Sequence, residues 1–440
     1  MNKRTIFVGF LLVMVLAFNS IALAKPVEIT VMMFEGGYGS DWVVRSAEAF
    51  VKENPNIKIN VIASPDIHRQ LQPRFLSGNA PDIINPGPNF DILSLIGAGE
   101  VAALNQYLDT PSYRGTEKWV DVFTPAQFAL QLEGNYYGIP VLFSAGYIWW
   151  YDAKLFRDNG WEAPRNWSEL YELKEKAGQK GISVFALAGK VPAYTYYGTY
   201  LPLVERMGGI QAIEDGFNLV PGAWKSEPYL NAAKELVRMG EEGLFMPKTM
   251  GLSHIEAQTQ FFQRNALFAM AGTWLEGEMQ DVIPADFELT ALNQPAWEGG
   301  PIEDQLYVPI SEGWAGAFYV SESSKNKDAA VAFLKYLTDK ESIYRMMERG
   351  LASTIVGTED AIESAALRTA LAEMDRAAGK SYIPTGMNPV YPEFNTNVIN
   401  KFQALLLGQV TPEEFVEYAE QKAEELRKDD SIVKQEFSYR

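Results

Sequence analysis

Residues 134–156 read GNYYGIPVLFSAGYIWWYDAKLF, and they restrict the fold more than any other stretch of the chain. Asn135 opens a turn after Gly134, and Gly138 and Pro140 punctuate the path where the chain changes course. Beyond that break, Gly146 to Trp150 is short, aromatic-rich and uncharged, the pattern of a buried strand in an α/β sheet. Asp152-Ala153-Lys154 then leads into a helical pattern. The stretch therefore reads as a strand leaving one domain, a hinge, and entry into a second.

A chain of 440 residues with 47% hydrophobic content is longer than the roughly 250–300 residues at which a single core stops growing. Gly and Pro are spread along it, with no repeat, low-complexity tract or obvious linker. Two lobes joined by several crossings fit this better than two beads in series. The formal net charge of −18 argues against nucleic acid or an anionic membrane as partner. Zero cysteines exclude disulfides, thiolate metal sites and cysteine nucleophiles.

Residues 1–24 carry Lys3 and Arg4, the apolar run Ile6 to Phe18, and then Ala22-Leu23-Ala24. This is the layout of a cleavable export signal, and the apolar run is short for a permanent anchor. Cleavage is expected after Ala24, which removes two positive charges and leaves the mature chain more acidic still.

Along the mature chain, Val27 to Phe34 alternates as a strand, a helix capped by Ser40 or Asp41 runs to Phe50, and Ile57 to Ile62 is a second strand, giving a βαβ unit. Ser77-Gly78-Asn79-Ala80-Pro81-Asp82-Ile83-Ile84 follows a helix at Arg69 to Leu76. Beyond the hinge come a helix at Trp167 to Lys176, a strand at Gly181 to Leu187, and a tyrosine-crowded segment with no clean period from Pro192 to Tyr200. Helices are expected at Pro228 to Met239 and Ala257 to Gln263, then the strand Asn265 to Met270 ending in Ala271-Gly272-Thr273-Trp274. Gly313 to Val320 reads as a returning strand, Ala329 to Thr338 as a helix, and Pro412 to about Lys428 as a closing amphipathic helix.

Five of these stretches, in order, resemble the extracellular solute-binding proteins that serve ABC sugar importers, the family of maltose-binding-type proteins. They are Ser77 to Ile84; Gly138-Ile139-Pro140 with Trp150-Tyr151-Asp152 and Lys154-Leu155-Phe156; Asn265 to Trp274; Gly313 to Val320; and the helix after Ser324. The resemblance implies an α/β two-lobed periplasmic binding protein fold, with discontinuous lobes joined by a hinge. It places crossings near Pro140, Ser311 and Thr338, so that 25–140 and 311–337 form one lobe and 141–310 and 338–440 the other. It also implies a monomeric periplasmic carrier of carbohydrate that docks on ABC permease subunits, without catalysis, cofactor or metal. The missing lipid-acceptor cysteine favours a free protein over a membrane-tethered one.

A sugar offers hydroxyls at its rim and apolar C–H faces, so its site needs aromatic rings and planar polar side chains. Loops after the strand ends supply both. In the first lobe the candidates are Glu35, Tyr38 and Asn89, with Asp82 and Asp91 read as loop-ordering and helix-capping residues. From the hinge floor come Ser144 and Tyr147, from the second lobe Tyr194, Tyr196, Trp274, Glu276 and Tyr391, and from the second crossing Trp314. The resemblance singles out Trp274, whose Gly-x-Trp position commonly stacks on sugar. Two other readings stay open. Abundant acids among aromatics would also suit a polyamine or another small polar solute. Glu35 and Glu276 facing each other would suit a glycoside hydrolase. His68 and His254 form no ligand-spaced pair and read as surface or capping residues.

Overall fold

The computed structural model describes residues 26–87, 90–123, 131–132, 134–143, 146–301, 316–377 and 390–437. Its two main sheets are each covered by helices. The first has the strand order Ile57–Ser64, Val27–Phe34, Ile83–Asn85, Phe318–Val320, Gly138–Ile139. Val27–Phe34 runs parallel to both neighbours, with Val27 opposite Ile57 and Val31 opposite Ile83. Phe318–Val320 returns antiparallel, Val320 opposite Ile83 and Phe318 opposite Ile139. Helix Asp41–Glu53 buries Trp42, Val43, Ser46, Ala47 and Phe50, the stripe that a 3.6-residue period turns to one side. Phe50 meets Phe333 and Tyr336 at 5.5 and 5.4 Å between ring centroids, tying this helix to Lys327–Leu337. Asp82 orders the loop it sits in, accepting from Thr30 N (2.8 Å) and Ser324 Oγ (2.6 Å). Asp91 caps helix Ile92–Gly97 by accepting from Ser94 N at 2.9 Å.

The second sheet has the order Leu289–Leu292, Ile148–Asp152, Ala266–Ala271, Ser183–Phe185. Ile148–Asp152 is antiparallel to both neighbours, and Trp149 and Trp150 are each 1% exposed, as an apolar run in a central strand requires. At the strand's end, buried Asp152 accepts from Lys154 N, Glu288 N and Arg264 Nε at 3.0, 3.1 and 2.7 Å. One carboxylate therefore caps helix Ala153–Asn159, holds the edge of Leu289–Leu292 and pairs with a guanidinium. Helix Pro412–Lys428 starts in a reciprocal cap, Glu414 N donating to Thr411 Oγ1 and Thr411 N to Glu414 Oε2. It packs with Pro392–Leu406 on Glu227–Glu241.

Two sequence expectations change. The strand expected from Gly146 begins at Ile148, because Tyr147 has φ +61° and a left-handed residue cannot continue a pleat. Helix Lys340–Met347, which a crossing near Thr338 would give to the second lobe, packs on Asp41–Glu53 of the first. Arg45 pairs with Glu348 at 2.7 Å, and Arg114 with Asp339 at 2.5 Å. Amphipathicity shows that a helix has a buried side, not which sheet covers it. Farther on, Ala352–Ser353 pairs antiparallel with Leu142–Phe143, and the Thr354 hydroxyl donates to Pro140 O at 2.5 Å. Helix Ala365–Ala377 then packs on Leu289–Leu292, with Ala291 N donating to Thr369 Oγ1 at 2.9 Å.

Candidate functional site

The strand Ala266–Ala271 is buried at all six positions and delivers Gly272-Thr273-Trp274 to its end. A Cβ on Gly272 would lie 2.0 Å from Trp274 Cζ3, so only glycine lets the indole fold back over its own chain. Trp274 is 7% exposed. From the first lobe, the loop after Val27–Phe34 approaches it closely: a Cβ on Gly37 would stand 3.1 Å from Trp274 Cδ1, and Tyr38 meets the indole edge-on at 5.6 Å.

Tyr147 completes the set from the hinge side. Its ring stands perpendicular to Trp274 at 5.7 Å and to Tyr194 at 5.2 Å, and stacks on Tyr197 at 5.3 Å and 19°. A tyrosine at φ +61° costs about 1–3 kcal/mol, which the packing around it must offset. Tyr197 holds that ring from behind and donates its hydroxyl to Asn395 Oδ1 at 2.5 Å. Burial pushes the Tyr197 phenol well above its ordinary range, so it remains a donor at any working pH. Tyr194 continues the layer, stacking on His254 at 5.6 Å and 17°. His254 Nε2 lies 3.6 Å from Glu278 Oε1, and Glu278 Oε2 is buried with no hydrogen bond among the described residues. Thr273 Oγ1 is in the same condition.

Of the candidates read from sequence, Tyr38, Tyr147, Tyr194 and Trp274 are brought into this one ring set. Glu35 lies on the same loop as Tyr38, its carboxylate taken by Ser40 Oγ at 2.7 Å. Glu276 accepts from the Ser364 hydroxyl, which ties it to the start of helix Ala365–Ala377. Tyr196 and Tyr391 require correction, for both are core residues. Tyr196 is 2% exposed against Tyr200 and Phe402, while Tyr391 accepts from Gln435 N at 2.9 Å and packs on Phe437. Asn89, Ser144 and Trp314 lie outside the described residues. Sequence reasoning gave Tyr197 no preference over its neighbours, read His254 as a surface or capping residue, and did not single out Glu278. Tyr196–Tyr200 forms one wide π-helical turn, so no 3.6-residue period could say which tyrosine faces the rings.

The family description "bacterial extracellular solute-binding protein" matches residues 36–343, well over half of the chain. The chain belongs to the bacterial extracellular solute-binding proteins. This solute-binding protein is 27% identical to the diacetylchitobiose binding protein NgcE of Streptomyces coelicolor over 438 residues, 96% of its own length and 89% of the relative's. It is 25% identical to the multiple sugar-binding protein of Streptococcus mutans over 67% of each chain. Its fold is that of a solved chitin oligosaccharide binding protein (TM-score 0.78, 21% identity, 91% of this chain and 99% of that one). It also superposes on RafE in complex with raffinose (TM-score 0.71, 19% identity, 91% and 100%). No helix among the described residues is long and apolar enough to cross a membrane.

Proposed function

We propose that this solute-binding protein is the substrate-binding component of an ABC carbohydrate importer, taking up an oligosaccharide between its lobes and handing it to membrane permease subunits. The observation that carries the reading is the ring set drawn from both lobes: Tyr38 from the first, Trp274 from the second, and Tyr147 from the hinge side, with centroid spacings of 5.6 and 5.7 Å. Such rings offer faces to the C–H surfaces of a sugar. Because Tyr38 and Trp274 stand on different lobes, separating the lobes parts them, and a sugar bound between them favours the closed state. The diacetylchitobiose-binding and multiple-sugar-binding relatives support carbohydrate over a polyamine.

The working form is a monomer, exported by residues 1–24, released after Ala24 and untethered, that binds its sugar without turning it over. One lobe consists of 25–140 with the returning segment through Met347. In this reading the other runs from Ile148 to Leu292 and resumes with helix Ala365–Ala377, with the third crossing at the Ala352–Ser353 ribbon.

Isothermal titration of the mature protein with N,N′-diacetylchitobiose, maltotriose, raffinose, xylobiose and spermidine tests the proposal. Saturable binding of a sugar, recovered unchanged, is expected. Binding of spermidine alone, or recovery of cleaved sugar, overturns it.

A further inference from the structure

Tyr194, Thr195, His254 and Gln258 also line a small pocket, together with Met270 and alanines such as Ala188 and Ala257. His254 and Gln258 stand one turn apart on helix His254–Phe262, so they present to the same side. The cap at Ser253, whose hydroxyl accepts from Glu256 N at 3.2 Å, fixes that turn. Gln258 is only 3% exposed, yet neither Oε1 nor Nε2 makes a hydrogen bond among the described residues. A buried amide left unpaired is destabilising, so a side chain placed this way implies a polar guest.

The guest's chemistry follows from what is left unpaired. Gln258 presents one acceptor and one donor side by side, facing a space of about 10 Å³ for the centre of a water-sized group. A hydroxyl donates to Oε1 and accepts from Nε2 at once. An amide carbonyl or a carboxylate only accepts, and an ammonium only donates, so each would leave half of the glutamine unpaired. An acetamido or methoxy group exceeds the space.

We propose that Gln258 reads a single free hydroxyl of the bound sugar, making this pocket a subsite that rejects the same position when it is deoxygenated or substituted. The inference rests on the carbohydrate reading above and deepens it, since the pocket adjoins the ring set through Tyr194.

The test takes whichever of N,N′-diacetylchitobiose, maltotriose, raffinose and xylobiose binds the wild-type mature protein most tightly. That sugar is titrated with its complete set of mono-deoxy and mono-O-methyl derivatives against wild type and Gln258→Met. In wild type, one position is expected to weaken binding about 10- to 100-fold when deoxygenated, and at least as much when methylated. In Gln258→Met, parent and that deoxy derivative should bind within about twofold of each other, with ligand-free thermal stability at or above wild type because the orphaned amide is gone. A wild-type protein indifferent to every derivative overturns the inference without recourse to any variant. So does a Gln258→Met protein that keeps the discrimination, or one that loses parent and all derivatives by the same factor, as removal of a resident water would produce. Failure of wild type to bind any sugar overturns the carrier reading together with the inference, whereas sugar binding with discrimination untouched overturns the inference alone.

Discussion

Replacing Asp152 by alanine removes three bonds at once from a side chain that is 1% exposed. The cap on Lys154 N is worth about 1 kcal/mol. Glu288 N, which donates to the same oxygen at 3.1 Å, becomes an orphaned donor at about 1–3 kcal/mol. Arg264 keeps Asp286 at 3.3 Å, so its guanidinium is not left bare, and the cost of losing its partner falls below the roughly 3–5 kcal/mol of a fully broken buried pair. The expected loss is therefore about 3–5 kcal/mol, a large share of a typical total of about 5–15 kcal/mol. Asp152→Asn retains an oxygen for the two backbone donors and should cost about 1–2 kcal/mol. Urea unfolding followed by near-UV circular dichroism measures both through the midpoint at constant slope. An alanine variant within about 0.5 kcal/mol of wild type, or an asparagine variant as unstable as alanine, would refute the reasoning.

Trp274→Ala should weaken sugar binding by about 1–3 kcal/mol in titration calorimetry, and an unchanged affinity in a folded variant removes the indole from the site. Gly272→Ala should weaken binding at least tenfold by displacing that ring, because the new methyl would fall 2.0 Å from it; retained affinity contradicts the folded-back geometry. Burial raises the Glu235 carboxyl above its ordinary value, against the opposing hydrogen bond from Tyr171 and the charge of Arg238. The folded state therefore holds this proton longer than the unfolded one, and stability should fall as pH rises from the ordinary glutamate value through the folded one. Comparing urea midpoints of wild type and Glu235→Gln from about pH 4 to 7 should show that component flattened in the variant.

The elements that do one job were legible in the chain. Val27–Phe34 reads as a strand and lies in a sheet, with Ile29, Val31 and Met33 in one core and Met32 in the other, and Asp41–Glu53 carries one apolar stripe because one side is covered. Asp152 and Lys154 mark a strand-to-helix corner that the structure turns into a helix cap. What the chain withheld are choices made at a distance. Tyr196 and Tyr197 are chemically identical neighbours, and only a wide turn sends one to Phe402 and the other to Tyr147. Tyr147 reads as a strand residue until its left-handed backbone is seen. Gln258 looks like any polar position on a helix, because its burial depends on Tyr194 and Met270, which arrive from elsewhere in the chain.

The first sheet takes in Phe318–Val320 between Ile83–Asn85 and Gly138–Ile139, more than two hundred residues after its first strand. A chain emerging from the ribosome cannot finish that lobe until the whole stretch between has been made, including most of the other lobe. Until then Ile83–Asn85 offers an unpaired edge and Tyr319 has no sheet to enter. Pairing over such a span is slow, because loop closure precedes any gain from contact. In a family described as extracellular, a sheet completed by so late a strand lengthens the time the new chain spends open, before its first lobe can close.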